Sequence, residues 1–383
     1  MKVAHNTNDF SLHQTNLADE LYATLGDDFK YFEMCKDVDE EKRSYTTIKD
    51  RPYLIRVWRD DPDLRVAKEW ALTADVAMFA TNEVMIPLID ERLKKGLLTF
   101  EGGERWLKKG LKNIFSPLLI RNQWRYHTRY FNKPIYKLCA SAFGANDQYL
   151  LRSYVDKCYK WGYFTKVENE LPSERFYNSR AKKISIMWCA RFLDWKHPEL
   201  VIGLAKLLKT QDYSFKIEMY GIGEELEATK SLCKEYDVQD VVTFKGKVSN
   251  DEILASMCCS DIFLLTSDRR EGWGAVLNEA MSCGCPVVAS IEIGSVPYLI
   301  KNNENGMVFV SKNLDSLCEK VTYLIDHPSI REKLGMNAFR TMKEVWSPKQ
   351  AARNFIQLSD DLLHGRDSSI GEGPCSTALP IKQ

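Results

Sequence analysis

The sequence has no run of about 18 uncharged apolar residues, so no membrane-spanning helix is expected. Its first residues, MKVAHNTNDF, are too polar for a secretory signal. It has no net charge: Lys and Arg total 53, and so do Asp and Glu, which leaves overall charge silent about partners. It has no pair of Cys-x2-Cys knuckles. The 11 cysteines are odd in number and scattered, with Cys258-Cys259 inside a helical pattern and Cys283 and Cys285 at a helix end. This argues against a zinc ribbon and a disulfide framework, and for small buried thiols in a reducing, cytoplasmic compartment. Short repeats and nucleic-acid-binding motifs are absent too. What remains is a chain of 383 residues, a length that suits two domains.

The most informative stretch is REGWGAVLNEAMSCGCPVVAS, where Glu271 and Glu279 stand eight positions apart. A strand pattern, DIFLLTS (261–267), precedes it, and a polar turn leads into a helical pattern, AVLNEAMSCG. The first turn of a helix leaves backbone N–H groups unpartnered, and its dipole attracts anions. Gly272 and Gly274 allow close approach of a ligand. Glu271 in the turn and Glu279 two turns deeper can each accept hydrogen bonds from hydroxyls. Upstream, KISIMWCARFLDWKHPELVIGLAKLLK (183–209) reads as a strand ending in Arg191, with Lys196 five residues on at the mouth of a helix. One planar fork and one point charge there make a phosphate clamp. Between the two lies FKIEMYGIGEELEATKSLCKEYDVQDVVTFKGKVSNDEI (215–253), a strand, a Gly221-x-Gly223 turn, a helix and a second strand ending at Gly246-Lys247-Val248. Leu226 holds the place of the third glycine of a dinucleotide fingerprint.

E-G-W-G-x3-N-E-A-M-x2-G-C-P-V-V-A-S resembles the donor-site signature of retaining glycosyltransferases of family 4, of the kind that builds bacterial polysaccharides. Arg191 and Lys196 match the spacing of the family's Gly-Arg-x4-Lys-Gly, with Ala190 and His197 in place of the glycines; His197 suggests a different local backbone. The resemblance implies an α/β fold of two Rossmann-like domains facing across a cleft (GT-B). It implies Arg191, Lys196 and Glu271 as catalytic groups, with Glu271 toward the transferred sugar and Glu279 toward the ribose. Gly221, Lys247 and Val248 would border the nucleotide, as would Gly272, Trp273, Gly274, Ala275 and Val276. Many relatives carry a sugar-binding histidine after a later strand, where this chain shows MFATNE (78–83) without one. The histidine placed in the role here is His13, in the loop NTNDFSLHQTN (6–16) after the first strand.

The first half reads as short buried strands, KVAHN (2–6), FKYFEMC (29–35), PYLIRV (52–57), DVAMFAT (75–81) and IYKLCAS (135–141). Helical runs at 15–26, 61–74 and 83–96 lie between them, which argues for a parallel sheet. Asp61-Pro62-Asp63 has the form of a metal-binding Asp-x-Asp but reads as a helix start. From Arg105 to Lys137 there are nine cations, interleaved with aromatics. The segment contains no acid, and it is read as a surface for anionic lipid rather than nucleic acid.

The expected organisation is an acceptor-side domain over 1–175, a nucleotide-sugar donor domain over 176–345, a helix crossing back over 346–365, and a flexible tail over 366–383. The expected activity is metal-independent, retaining hexosyl transfer from a UDP- or GDP-linked sugar to a saccharide or lipid-linked acceptor, with no cofactor. Two rivals stand beside it: a non-catalytic partner subunit with the same fold, and an NAD(P) oxidoreductase.

Overall fold

The computed structural model describes residues 1–35, 50–58, 61–80, 85–171 and 183–382, and the chain divides into two compact units. The first comprises Met1–Thr165 and Val345–Gln383, the second Lys166–Glu344. Residues 172–182 of the expected joint, 81–83 of the MFATNE segment, the start of the expected helix at 83–84, and 36–49, 59–60 and 383 lie outside the described residues.

The first unit is built on a parallel sheet of β1 (Val3–Thr7), β2 (Phe29–Glu33), β3 (Leu54–Arg56), β4 (Val76–Ala80), β5 (Leu98–Gly103), β6 (Ile135–Cys139) and β7 (Cys158–Lys160). Its spatial order is β3-β2-β1-β4-β5-β6-β7. Helices α1 (Leu12–Leu25), α2 (Asp61–Thr73), α3 (Ile86–Lys94), α4 (Pro117–Gln123) and α5 (Gly144–Leu150) connect it. Asp61-Pro62-Asp63 opens α2, as a helix start should. Strands β5 and β7 escape the sequence pattern. In β5 the charged Glu101 and the pair Gly102-Gly103 hide the strand; Glu101 is fully buried because Lys137 of β6, directly opposite, bonds it at 3.0 Å.

The second unit carries β8 (Ile184–Cys189), β9 (Phe215–Tyr220), β10 (Val242–Gly246), β11 (Ile262–Leu265), β12 (Val287–Ser290) and β13 (Met307–Phe309) in the parallel order β10-β9-β8-β11-β12-β13. Its helices are α6 (Pro198–Thr210), α7 (Leu226–Glu235), α8 (Asn250–Cys259), α9 (Ala275–Ser282), α10 (Val296–Leu299), α11 (Leu314–Asp326) and α12 (Pro328–Arg340). On α6, Val201, Leu204, Ala205 and Leu208 recur at helical spacing and are fully buried on the sheet with Ile186, Trp188 and Ile217. Each larger side chain buried this way contributes about 1.5–3 kcal/mol. Helix α8 opens with a capping box between Ser249 and Glu252. Both sheets have the doubly wound Rossmann order, with the reversal at β1/β4 in one and β8/β11 in the other.

The last helix, α13 (Pro348–Leu363), packs in the first unit, where the Phe355 ring meets Phe100 and Trp161. The tail corrects the expectation of a flexible end. Cys375 N–H donates to Lys160 O (2.7 Å), Lys160 N–H to Ser376 O (2.8 Å) and Ala378 N–H to Cys158 O (2.9 Å). The tail thus pairs with β7, an edge strand whose backbone groups would otherwise lack partners, and Cys375 is wholly buried. A segment with no periodicity hides this, because edge pairing depends on backbone rather than side chains.

Candidate functional site

The residues singled out in the second half converge on the carboxyl edge of its sheet. Arg191 to His197 follow β8, Gly221 to Gly223 follow β9, Lys247 and Val248 follow β10, and the Glu271 turn follows β11. The loops after β8 and β11 flank the reversal point, where open α/β sheets bind ligands.

Glu271 and Lys196 meet there. Lys196 Nζ donates to the Glu271 carboxylate, which also accepts from Ser267 Oγ at 3.1 Å, and both residues are buried. The Lys196 ammonium lies 4.3 Å from the Trp195 ring centroid. Its backbone is fixed from β11: Thr266 Oγ1 donates to Lys196 O (2.6 Å) and receives the Trp188 indole N–H (2.9 Å), while Asp268 N–H donates to Trp195 O (2.9 Å). Arg191 ends on the same loop, exposed.

Gly274 caps α9 at φ 85°, and a Cβ there would stand 3.3 Å from both the Glu271 and Ile293 side chains, so this turn needs glycine. Ala275 and Val276 form the first turn of α9, whose leading N–H groups have no helical partner. Gly272 is buried beside them. Trp273 is placed differently from expectation. Its side chain is fully buried and its indole N–H donates to Asn278 Oδ1 at 2.8 Å, so it is a core residue that offers a ligand only backbone. Its burial anchors the turn to the core beside Asn278.

Glu279 projects from α9 and is part-exposed. It raises the Cys189 thiol at the end of β8, after burial, while Lys196 lowers it, so the three groups are neighbours. Burial, with no cation or donor offsetting it among the described residues, pushes the Glu279 carboxyl up to about 7.

Gly221 and Gly223 have a packing role. A Cβ on either would lie 2.0 Å from Ala190 O or 2.3 Å from Phe192 O, so the turn after β9 lies directly against the Arg191 backbone. Lys247 is exposed and Val248 half-buried after β10.

His197 occupies a left-handed conformation (φ 50°, ψ 55°), one that glycine adopts freely, so a re-routed backbone is not needed to accommodate it. Its ring contacts Glu199 Oε1 at 2.7 Å and Asp268 Oδ2 at 3.3 Å. Burial raises the Asp268 carboxyl, but bonds from Arg270, Lys312 and His197 outweigh it and bring it down to about 2. Neither His197 nor Asp268 emerges from sequence patterning, since their partners come from separate elements.

His13 lies in the first unit, in the first turn of α1 rather than in a loop. Its ring stacks on Tyr163 at 5.7 Å and 7°. Burial lowers its pKa, which favours the neutral ring. Both line a cavity of about 140 Å³ at the β1/β4 reversal, with Thr7, Gln14, Trp161 and His5. Burial takes His5 down to about 3, and it is a lining residue the sequence reading missed.

The basic segment is less basic than its composition suggests. Asp147 takes Arg105 (2.9 Å), Glu104 takes Lys108 (2.9 Å), Asp90 takes Arg125 and Arg129 (3.2 and 3.4 Å), and Glu101 takes Lys137. The carboxylates come from outside the segment, where a linear count does not see them. Lys109, Lys112 and Arg121 remain exposed, among unusually bare apolar side chains: Leu111 (63%), Phe115 (82%), Ile120 (53%) and Trp124 (52%). No helix among the described residues is long and apolar enough to cross a membrane.

Two Rossmann-like units, one with an anion-receptive helix start and a Lys–Glu pair at its switch point, have the architecture of the GT-B fold. Residues 172–341 match the model of the glycosyl transferases group 1 family, and this part of the chain resembles relatives of the family 4 kind. An uncharacterised glycosyltransferase of Methanocaldococcus jannaschii is 27% identical over 198 residues, 51% of this chain and 49% of that protein. The Bacillus anthracis N-acetyl-alpha-D-glucosaminyl L-malate synthase is 26% identical over 174 residues, 45% and 44% of the two chains. The chain therefore spans half or less of the length of these curated relatives. In fold it resembles Anabaena Alr3699/HepE, crystallised with UDP, at a TM-score of 0.72 and 14% identity over 94% of this chain and 100% of that one.

Proposed function

We propose that this chain moves a hexosyl unit, with retention of configuration, from a nucleoside-diphosphate sugar to a saccharide or lipid-linked acceptor in surface polysaccharide or glycolipid synthesis. The carrying observation is the Lys196–Glu271 pair beside the start of α9. As the glycosidic bond breaks, charge grows on the diphosphate. Arg191, Lys196 and the first N–H groups of α9 are the groups that stabilise it, without a divalent ion. Glu271 accepts from the sugar's hydroxyls and Glu279 from the ribose. The acceptor attacks from the face the diphosphate leaves. His13 and Tyr163 form a ring platform in the first unit's cavity for a sugar. UDP is the favoured nucleotide because the fold neighbour HepE was crystallised with UDP; GDP is the alternative.

A thermal-shift panel in EDTA tests this reading. UDP or GDP at a hundred times its Kd stabilises a binding protein by about 2.7 kcal/mol, and NAD should leave it unchanged. Stabilisation by NAD alone, or by UDP only when Mn²⁺ or Mg²⁺ is restored, contradicts it.

The exposed apolar residues of 111–124 favour a peripheral position on the cytoplasmic face of a membrane. Side chains of this size return about 1.5–3 kcal/mol each when buried, and each nearby cation adds about 1 kcal/mol against anionic lipid. Sedimentation with anionic phospholipid vesicles should therefore fall more for Leu111→Ser/Phe115→Ser/Trp124→Ser than for Lys109→Glu/Lys112→Glu, with UDP binding intact in both. Equal sedimentation of all three proteins would make the surface structural.

A further inference from the structure

We propose that His197 is a positioning residue: its imidazolium clasps the Lys196 loop to the turn that carries Glu271, and so sets nucleotide affinity through Lys196. This rests on the donor-site reading above and adds a residue that lies outside the site's expected machinery.

The geometry is that of a two-ended clasp. His197 sits between the short 3-10 turn Asp194–Lys196 and α6. Nδ1 faces Glu199 in the first turn of α6, and Nε2 faces Asp268 in the turn after β11. A neutral imidazole has one N–H and one lone pair, so it can satisfy only one of two carboxylates. The imidazolium donates to both. The surrounding charges keep this arrangement closed. Arg270 donates to Asp268 from Nε (3.2 Å) and Nη2 (3.1 Å) and to Asp194 from Nη1 (2.6 Å), and Lys312 Nζ lies 3.1 Å from Asp268. Lys196 and Glu271 are one step away on either side, already bonded to each other. Burial pulls the ring's pKa down, and Glu199 and Asp268 more than offset it, leaving it above 6.5.

The backbone supplies the second argument. A non-glycine residue in the left-handed region costs about 1–2 kcal/mol. That strain is tolerated where the surroundings over-determine the conformation, as two carboxylates on one ring do. Loss of the proton turns one contact into a lone pair against a carboxylate. The Lys196 loop and the Glu271 turn then lose one of their side-chain ties, and the Lys196–Glu271 and Arg270–Asp194 bonds remain with those from Thr266 Oγ1 and Asp268 N–H.

The sign follows from a raised pKa. The clasp is present below the ordinary histidine value and is lost as pH rises through the ring's folded-state value. The test compares the wild type with His197→Gly, which keeps the left-handed backbone without strain and so is expected to fold with an unchanged or higher Tm. UDP affinity is measured by calorimetry between pH 7 and 9, above the phosphate's own titration near 6. Wild-type affinity should decline as pH rises through the ring's own titration, by up to about tenfold, the scale of one charge-assisted hydrogen bond. His197→Gly should bind more weakly than wild type wherever the wild-type ring is charged, by up to about tenfold, with little slope. A glycine variant with wild-type affinity and slope overturns the proposal. In parallel, the His197 ring is titrated by NMR in the absence of nucleotide. A ring that titrates at or below 6.5 also overturns it. Should neither protein bind UDP, the donor-site reading fails, and the ring titration still decides the clasp.

Discussion

Arg191→Ala and Lys196→Ala should each lower kcat by about 10²-fold or more, the cost of removing one preorganised donor from a developing charge. The structure adds a difference between them. Arg191 is exposed at its strand end, so its removal leaves the fold's other contacts in place. Stability should stay within about 0.5 kcal/mol of wild type. Lys196 is buried on Glu271, and removing it strands a carboxylate that keeps its bond from Ser267 Oγ in the turn. Breaking such a pair from one side costs about 3–5 kcal/mol, because the remaining charge is left uncompensated. Lys196→Met combined with Glu271→Gln removes both charges, so much of that stability should return while turnover stays low. Denaturant unfolding and single-turnover kinetics on the four proteins separate the two effects. A change confined to acceptor KM would show that these cations do not act on the leaving group. Recovery of turnover in the double variant would show that Lys196 is merely structural.

The Lys196–Glu271 contact also illustrates what the sequence could and could not carry. Each residue was legible by its motif and spacing, because strand–turn–helix patterning places both at the carboxyl edge of a parallel sheet. Their direct pairing was not, since 75 residues separate them. The same holds for the buried Glu101–Lys137 pair, which made β5 look like surface and a basic run look more exposed than it is. Turn and edge chemistry was lost for a related reason. His197 holds a glycine-like conformation through partners on two other elements, and the 375–378 tail is fixed by backbone pairing to β7. Trp273 shows a related limit: its place between two glycines gives its position in the turn, but only the structure shows that its indole is core and that the turn would offer a ligand backbone there. Hydrophobic periodicity identifies elements and their order; tertiary partners decide which charges are free.

Glu279 offers the second large effect, and it couples function to pH. Its carboxyl is raised from 4.5 to about 7 by burial. A raised carboxyl pKa means the folded state binds more protons between those values, so its contribution favours folding at low pH and is lost as pH rises through 7. Glu279→Gln should therefore be the more stable protein at pH 8, by up to about 3 kcal/mol and less to the extent that water reaches the group. The same substitution should weaken UDP by about 1.5–3 kcal/mol, if the ionised carboxylate accepts from the ribose hydroxyls. Binding would then favour the charged form and expel a proton near neutral pH, so the calorimetric enthalpy of wild type should depend on the buffer's ionisation enthalpy, and that of the variant much less. Wild-type affinity should also decline as pH falls below 7, beyond what the UDP phosphate causes in both proteins. The His197 clasp acts in the opposite sense, opening as pH rises, so the two variants should each remove one of two opposed pH dependences. A Glu279→Gln protein that binds UDP as wild type does, with the same buffer dependence, would move the ribose elsewhere. One that is no more stable at pH 8 would mean that the carboxyl is solvated in the free protein, and the proton release would vanish with it.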